Sequence, residues 1–245
     1  MSSTNRAFTW RSASATSKGN VRSHNEDAIL DLPSVGLWAV ADGMGGHNAG
    51  DVASRMIVEA LSAVERRSPP SALVDEVEDR LREVNERLYR ASLEGEGGMC
   101  GSTIVVLLAF ERHCLSLWAG DSRVYRCRGG SFVQITRDHS EVQEMVDGGV
   151  LTAASAGNYA ASNVITRAVG GSKELFLDLE LRELRDNDRY LLCSDGLYRE
   201  LGEADMAQHI ANNDPEGACR ALMKQALSGA CSDNVSAIVV QFTGA

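Results

Sequence analysis

The chain has 245 residues, 44% of them hydrophobic, and a formal net charge of −10, which suits the core of one large domain. The acidic balance excludes a general nucleic-acid binder, which needs a basic face. The longest uninterrupted apolar stretch, Ile104–Phe110, falls far short of a membrane span.

The N-terminal MSSTNRAFTWRS lacks the apolar core of a secretory signal, so a cytoplasmic location is expected. Strands are predicted at 7–16, 27–31 and 35–41. A helix over Gly50–Arg66 follows, with Ala53, Met56, Ile57, Ala60, Leu61 and Val64 on one buried face. Pro69-Pro70 stops it, and Ser71 is the expected N-cap of a second helix with the stripe Val74, Val77, Leu81, Val84, Leu88 and Ala91. Gly95–Gly98 ends that helix. Strands are then predicted at 102–110, 114–119, 123–128 and 131–135, with a hairpin turn at Arg128-Gly129-Gly130. A short helix is expected over 139–147, with His139 helping to start it.

Residues 148–163 are small, polar and weakly periodic, the pattern of a mobile flap. Strands return at 175–183 and 188–194, and helices at 203–212 and 215–229, the last with Asp214 as N-cap and Pro215 at its first position. The final strand is 235–242. This order does not alternate strand and helix as a doubly wound sheet does. It suits antiparallel sheets with helices on their outer faces, in a single domain over residues 1–245. Six cysteines occur, Cys100, Cys114, Cys127, Cys193, Cys219 and Cys231, none in C-x-x-C spacing. That excludes zinc-finger and thioredoxin-type sites and points to reduced, partly buried thiols.

Four apolar runs meet an aspartate flanked by small turn-forming residues: LWAVADG (Asp42), LSLWAGDS (Asp121), RYLLCSDG (Asp195) and, in reverse, SDNVSAIVV (Asp233). A fifth acidic point, Asn25-Glu26-Asp27, precedes another short apolar segment. Any one Asp-Gly is an ordinary turn; the joint recurrence at strand edges is the signal. If the rims converge, two like charges 4 Å apart repel by about 4 kcal/mol at an effective dielectric of about 20. Such a cluster needs cations or raised pKa values. Mg²⁺ and Mn²⁺ prefer carboxylate, carbonyl and water ligands, and the absence of accompanying His or Cys groups disfavours zinc. The segment Asp42-Gly43-Met44-Gly45-Gly46-His47 carries no P-loop lysine, and Asn48 stands where a dinucleotide fingerprint needs its third glycine. Its glycines instead let backbone approach a metal, so the Gly43 carbonyl can act as ligand. Arg22, three residues before Asn25, is a ready partner for a phosphate dianion. His47 is a candidate proton donor to a leaving group. His24, His113 and His209 are read as structural or exposed.

The ordered motifs RSHNED (Arg22–Asp27), DGMGG (Asp42–Gly46), GST (Gly101–Thr103), GDSR (Gly120–Arg123), TRDHS (Thr136–Ser140), TRAVG (Thr166–Gly170), SDG (Ser194–Gly196) and Asp233-Asn234 carry a resemblance. From about residue 8 to 242 the chain resembles the metal-dependent serine/threonine protein phosphatases of the PPM, or PP2C, type, in their compact bacterial form. The resemblance implies an α+β fold, a four-layer αββα sandwich of two antiparallel sheets flanked by helix pairs. It implies two Mn²⁺ or Mg²⁺ ions: Asp42 bridging both, the Gly43 carbonyl on the first, Asp195 and Asp233 on the second, and Glu26 nearby, direct or through water. Asp27 would orient metal-bound waters, Asp121 would help hold a weaker third ion, and Arg22 would bind phosphate. The implied reaction is hydrolysis of phosphoserine or phosphothreonine in proteins by a hydroxide shared between the ions, opposing a serine/threonine kinase. Partners would be phosphoproteins, the kinase or its targets, without nucleic acid or membrane, and the chain is expected to be a monomer. Two positions depart from the family pattern. Met44 stands where many animal members carry a histidine, so metal-bound water or His47 must serve as acid. Arg199, followed by Glu200, stands where the family often has an aspartate near the third ion. A phosphoprotein-binding module with weak turnover and a hydrolase of small phosphate esters are the alternatives.

Overall fold

The computed structural model describes residues 8–45, 49–94, 100–152, 155, 159 and 164–244. Its strands divide into two antiparallel sheets, and the burial of each strand follows from what covers it. One sheet runs in the order β1 (Phe8–Ser17), β11 (Val235–Gly244), β10 (Arg189–Cys193), β7 (Arg123–Arg128), β8 (Ser131–Gln134). The other runs β2 (Asp27–Leu32), β3 (Leu37–Gly45), β5 (Ile104–Phe110), β6 (His113–Ala119), β9 (Asp178–Glu183), with β4 (Cys100–Ser102) paired to the end of β3. The edge strands β1 and β9 alternate exposed and shielded residues, whereas β3, β5, β6, β10 and β11 are almost wholly buried.

The two-residue period of a strand explains that burial. Trp38 and Val40 of β3 face the other sheet, joining Leu107, Tyr190, Ile238 and Phe242 between the layers. Leu37, Ala39 and Ala41 face the opposite way, onto Ala53, Ile57 and Leu61 of α1 (Ala49–Ser62) and Val77, Leu81 and Val84 of α2 (Pro70–Glu94). On the far side, Leu191, Cys193, Ala237 and Val239 meet Met206 and Ile210 of α5 (Glu203–Asn212) and Ala218 and Leu222 of α6 (Pro215–Ala226). Two shorter helices, α3 (Glu141–Asp147) and α4 (Asp195–Glu200), lie in the connections. The result is the expected four-layer αββα sandwich. Among the described residues no helix is long and apolar enough to cross a membrane.

Several boundaries differ from the sequence reading. α1 ends at Ser62, and Val64 stays buried in the turn that follows. α2 begins at Pro70, so Ser71 lies inside it rather than capping it; proline at the first position sacrifices no intrahelical bond. The run 102–110 is two strands, because Thr103 turns its N–H to the Asp42 carbonyl at 2.8 Å. The strand expected from 175 begins at Asp178, and α6 ends at Ala226. α4 was not foreseen. Asp214 caps α6 as read, accepting from Gly217 N at 2.8 Å. Ser140, not His139, caps α3. Of the segment 148–163, only 148–152, 155 and 159 lie within the described residues. All six cysteines are free, and burial pushes Cys193 up to about 12 and Cys114 and Cys219 to about 11, so these thiols stay protonated at neutral pH.

Candidate metal centre

The acidic residues separated along the chain come together at one end of the sandwich, where β2 begins, β3 and β10 end, and β11 begins. Antiparallel register sets Asp27 of β2 opposite Asp42 of β3. The backbone of Asp42 is held by the Gly101–Thr103 segment: Asp42 N–H donates to Thr103 Oγ1 at 3.1 Å, and its carbonyl accepts from Ser102 Oγ at 2.9 Å and Thr103 N at 2.8 Å. Ser102 in turn exchanges backbone bonds with Val169 at 2.9–3.0 Å, which brings the Thr166–Gly170 segment to the same end. Gly43 sits where no side chain fits, since a Cβ there would lie 2.0 Å from the Gly50 carbonyl oxygen and 2.7 Å from that of Glu26. A Cβ on Gly50 would meet the Glu26 carboxylate at 2.9 Å, so Glu26 Oε1 lies close above the Gly43–Gly50 approach. Gly196, whose Cβ would fall 2.0 Å from the Asn234 carbonyl oxygen, joins the Asp195 and Asp233 turns with the same close packing.

Hydroxyl and amide groups around the carboxylates fix their directions. Asp27 Oδ2 accepts from Ser194 Oγ and Ser236 Oγ, both at 2.7 Å, while its Oδ1 is buried without a partner among the described residues. Asn234 Oδ1 accepts from Glu26 N at 2.8 Å, and its Nδ2 donates to the Lys18 and His24 carbonyls at 3.0 and 2.9 Å. One side chain thus fastens the Arg22–Asp27 loop to the start of β11. Asp121 follows the Gly120 turn, which His139 holds: His139 Nδ1 accepts from Gly120 N at 3.2 Å and Nε2 donates to Asp178 Oδ2 at 3.1 Å. The expectation that His139 starts a helix is therefore corrected; it buttresses the turn that carries Asp121, and its ring stacks on Trp118. Ser194, Ser236 and Asn234 were given no role by the sequence reading, although Ser194 and Asn234 flank two of the aspartates it singled out.

Among the described residues two arginines reach the cluster. Arg22, at the exposed rim, forms a bidentate pair with Asp233 at 3.0 and 3.1 Å. Arg199 Nη2 lies 2.9 Å from Asp195 Oδ2 and 3.9 Å from Asp121 Oδ2. His47 lies outside the described residues.

The electrostatics are those of crowded, desolvated carboxylates. Burial, then the charges of Asp195 and Asp233, outweighs the two serine hydroxyls and raises Asp27 to about 7. Burial and Asp195 raise Asp121 to about 7 as well. Asp42 is pushed well above the carboxylate range, by burial and then by Asp27, Asp195, Asp121 and Asp233. Asp195 is raised by burial, with Arg199 pulling it back. Asp42 is thus the point at which the fields of the other four aspartates meet.

This donor set fits hard divalent cations: it is all oxygen, it includes a backbone carbonyl at a glycine stripped of side chain, and it leaves Asp27 Oδ1 without a partner in a buried place. As placed, no three Asp, Glu, His or Cys side chains among the described residues close around one point, and Asp195 and Asp233 are each engaged by an arginine.

Comparison with known proteins identifies the family to which this sandwich belongs. The family model of protein phosphatase 2C matches residues 16–228. The serine/threonine protein phosphatase PstP of Mycobacterium tuberculosis is 34% identical over 230 residues, covering 94% of this chain and 44% of that protein. The chain thus spans less than half the length of that relative. Among solved structures, PppA, described as a key regulatory component of T6SS in Pseudomonas aeruginosa, is 40% identical with a TM-score of 0.89, covering 97% of this chain and 100% of the other. The catalytic domain of PstP in complex with 2 manganese ions is 32% identical with a TM-score of 0.87, covering 96% and 99%. With a family model spanning most of its length and this degree of likeness over the whole sandwich, the chain belongs to the protein phosphatase 2C family.

Proposed function

We propose that the chain hydrolyses phosphoserine and phosphothreonine in proteins, at a site for two Mn²⁺ or Mg²⁺ ions, and so opposes a serine/threonine kinase. The observation that carries this reading is the place of Asp42, set opposite Asp27 by strand register at the sheet end where Ser194, next to Asp195, and Ser236, two residues after Asn234, bind Asp27. The two manganese ions of the similar PstP domain support it. Asp42 and the Gly43 carbonyl would hold the first ion, and Asp42, Asp195 and Asp233 the second, with Glu26 beside them. When bound, such a pair of ions supplies an acidified water and neutralises charge on the phosphoryl oxygens.

The chain's own groups do the positioning. Asp27, its Oδ2 committed to Ser194 and Ser236, would keep Oδ1 to accept a hydrogen bond from a water and so aim it. Arg22, in the rim and three residues from Asn25, would offer the phosphate dianion the N–H donors that its pair with Asp233 leaves free. It sits on Asp233, which ties phosphate recognition to the second-ion ligand. Water or His47 would protonate the departing serine or threonine oxygen. Residues 148–163 would act as a flap that selects the substrate, and the catalytic unit would be a monomeric single domain.

The test is Mn²⁺-dependent hydrolysis of a phosphothreonine peptide beside an aryl phosphate and small phosphate metabolites. Peptide turnover that needs the ion, with kcat/KM above that for the metabolites, is the expected result. A folded, metal-loaded sample without turnover would instead make the chain a phosphoprotein-binding module.

A further inference from the structure

The short helix α4 carries Arg199 one turn beyond Asp195, so its side chain returns over that carboxylate. Nη2 stands between two buried acids, 2.9 Å from Asp195 Oδ2 and 3.9 Å from Asp121 Oδ2; these residues are 9% and 5% exposed. The other arginine of this region is committed elsewhere. Arg123 binds Asp138 through Nε and Nη2 at 2.6–3.1 Å, donates to Tyr125 Oη, and lies 3.6 Å from the ring centroid of Tyr198. Tyr198 Oη donates to the Asp121 carbonyl at 3.1 Å and reaches its Oδ2 at 3.4 Å, so among the described residues Arg199 is the cation that faces the Asp121 carboxylate. The neighbouring acid does not reach this place: Glu200 Oε2 lies against Gly229, 3.0 Å from where a Cβ would stand.

A third divalent ion held by Asp121 would have to enter between these carboxylates. The resemblance expects a carboxylate at position 199 to help hold it, and here the position supplies a tethered positive charge. The residues present therefore do not fit that ion: its ligand count is reduced by one, and a cation beside Asp121 repels it.

We propose that Arg199 is a built-in replacement for a third divalent ion, so that the chain takes up two ions and Asp121 serves to position the guanidinium. The inference rests on the two-ion reading above, and counting bound ions separates the two. Chain stripped with EDTA and dialysed is titrated with Mn²⁺ by calorimetry, with free ion followed by electron paramagnetic resonance. The wild type is expected to saturate at two ions. Arg199→Asp should bind a third ion about tenfold or more weaker than the first two, and adding Asp121→Asn should return the count to two. Arg199→Lys, which keeps the charge, should stay at two. If Arg199→Asp fails to fold by circular dichroism, Arg199→Gln takes its place, with a third ion expected at millimolar Mn²⁺. Three ions on the wild type, or no third ion on the variant that folds, would overturn the proposal. Fewer than two on the wild type would overturn the two-ion reading and this inference with it.

Discussion

Asp27→Asn should strengthen the metal-free protein while weakening its chemistry. Asp27 is 6% exposed, gives Oδ2 to two serine hydroxyls and leaves Oδ1 buried without a partner. Its folded-state pKa is about 7 against an ordinary value of 3.8. The unfolded chain thus releases this proton near pH 4 and the folded chain only near pH 7. Ionisation therefore penalises the folded state progressively over that window and by a constant amount above it. At about 1.4 kcal/mol per unit, the penalty is about 2 kcal/mol at pH 5 and about 4 kcal/mol at pH 8. An asparagine oxygen can keep both serine donors, and its amide adds no charge. The variant should then gain up to about 4 kcal/mol at pH 8, roughly 10 °C in Tm for a chain of this size, and up to about 2 kcal/mol at pH 5. Saturating Mn²⁺ should shrink the gain, because bound cations relieve the same repulsion and stabilise the wild type preferentially. The assay is urea unfolding in EDTA at both pH values, followed by far-ultraviolet circular dichroism, with kcat measured in Mn²⁺. A variant no more stable than wild type at pH 8 would refute the account of Asp27 as a strained, desolvated carboxylate.

Asp42→Asn and Asp195→Asn should each lower kcat about a thousandfold or more at saturating Mn²⁺ while the circular dichroism spectrum is unchanged; near-normal rates in either would show that its carboxylate holds no ion. Arg22→Ala should lower kcat/KM for an aryl phosphate by about 10- to 100-fold, the worth of a charge-assisted contact. Its Tm should hardly move, because the Arg22 side chain is 52% exposed and exposed pairs add little stability. Asp188→Ala supplies the contrast. Asp188 is fully buried and accepts from Arg128 Nε at 2.6 Å and Arg185 N at 2.9 Å, at the end of β10 remote from Asp195. Urea unfolding should show a loss of about 2–3 kcal/mol, because Arg128 is partly exposed and keeps its bond to the Glu183 carbonyl, and kcat per folded molecule should be unaltered.

Features that depend on near neighbours in the chain were legible in the sequence. The stripes that bury α1 and α2, the Asp214-Pro215 start of α6 and the apolar strands ending in Asp42, Asp121 and Asp195 are all periodic or turn signals of a few residues. Those local patterns pointed to antiparallel sheets with helices on their outer faces and to the acidic residues worth watching; the four-layer αββα arrangement came from the resemblance that the ordered motifs carry. Tertiary structure decided what each of them faces. Asp27 meets Asp42 through strand register and takes its hydroxyls from Ser194 and Ser236 on distant strands. Asn234 closes the Arg22–Asp27 loop, and His139 leaves its expected helix to hold the Gly120 turn. Arg199 is in the sequence only a departure from the family pattern, until α4, which no periodicity announced, folds it back between Asp195 and Asp121. The physical reason is range: helix and strand periodicity act over a few residues, whereas the desolvation and mutual repulsion that give these carboxylates their chemistry exist only when both sheets bring their ends together.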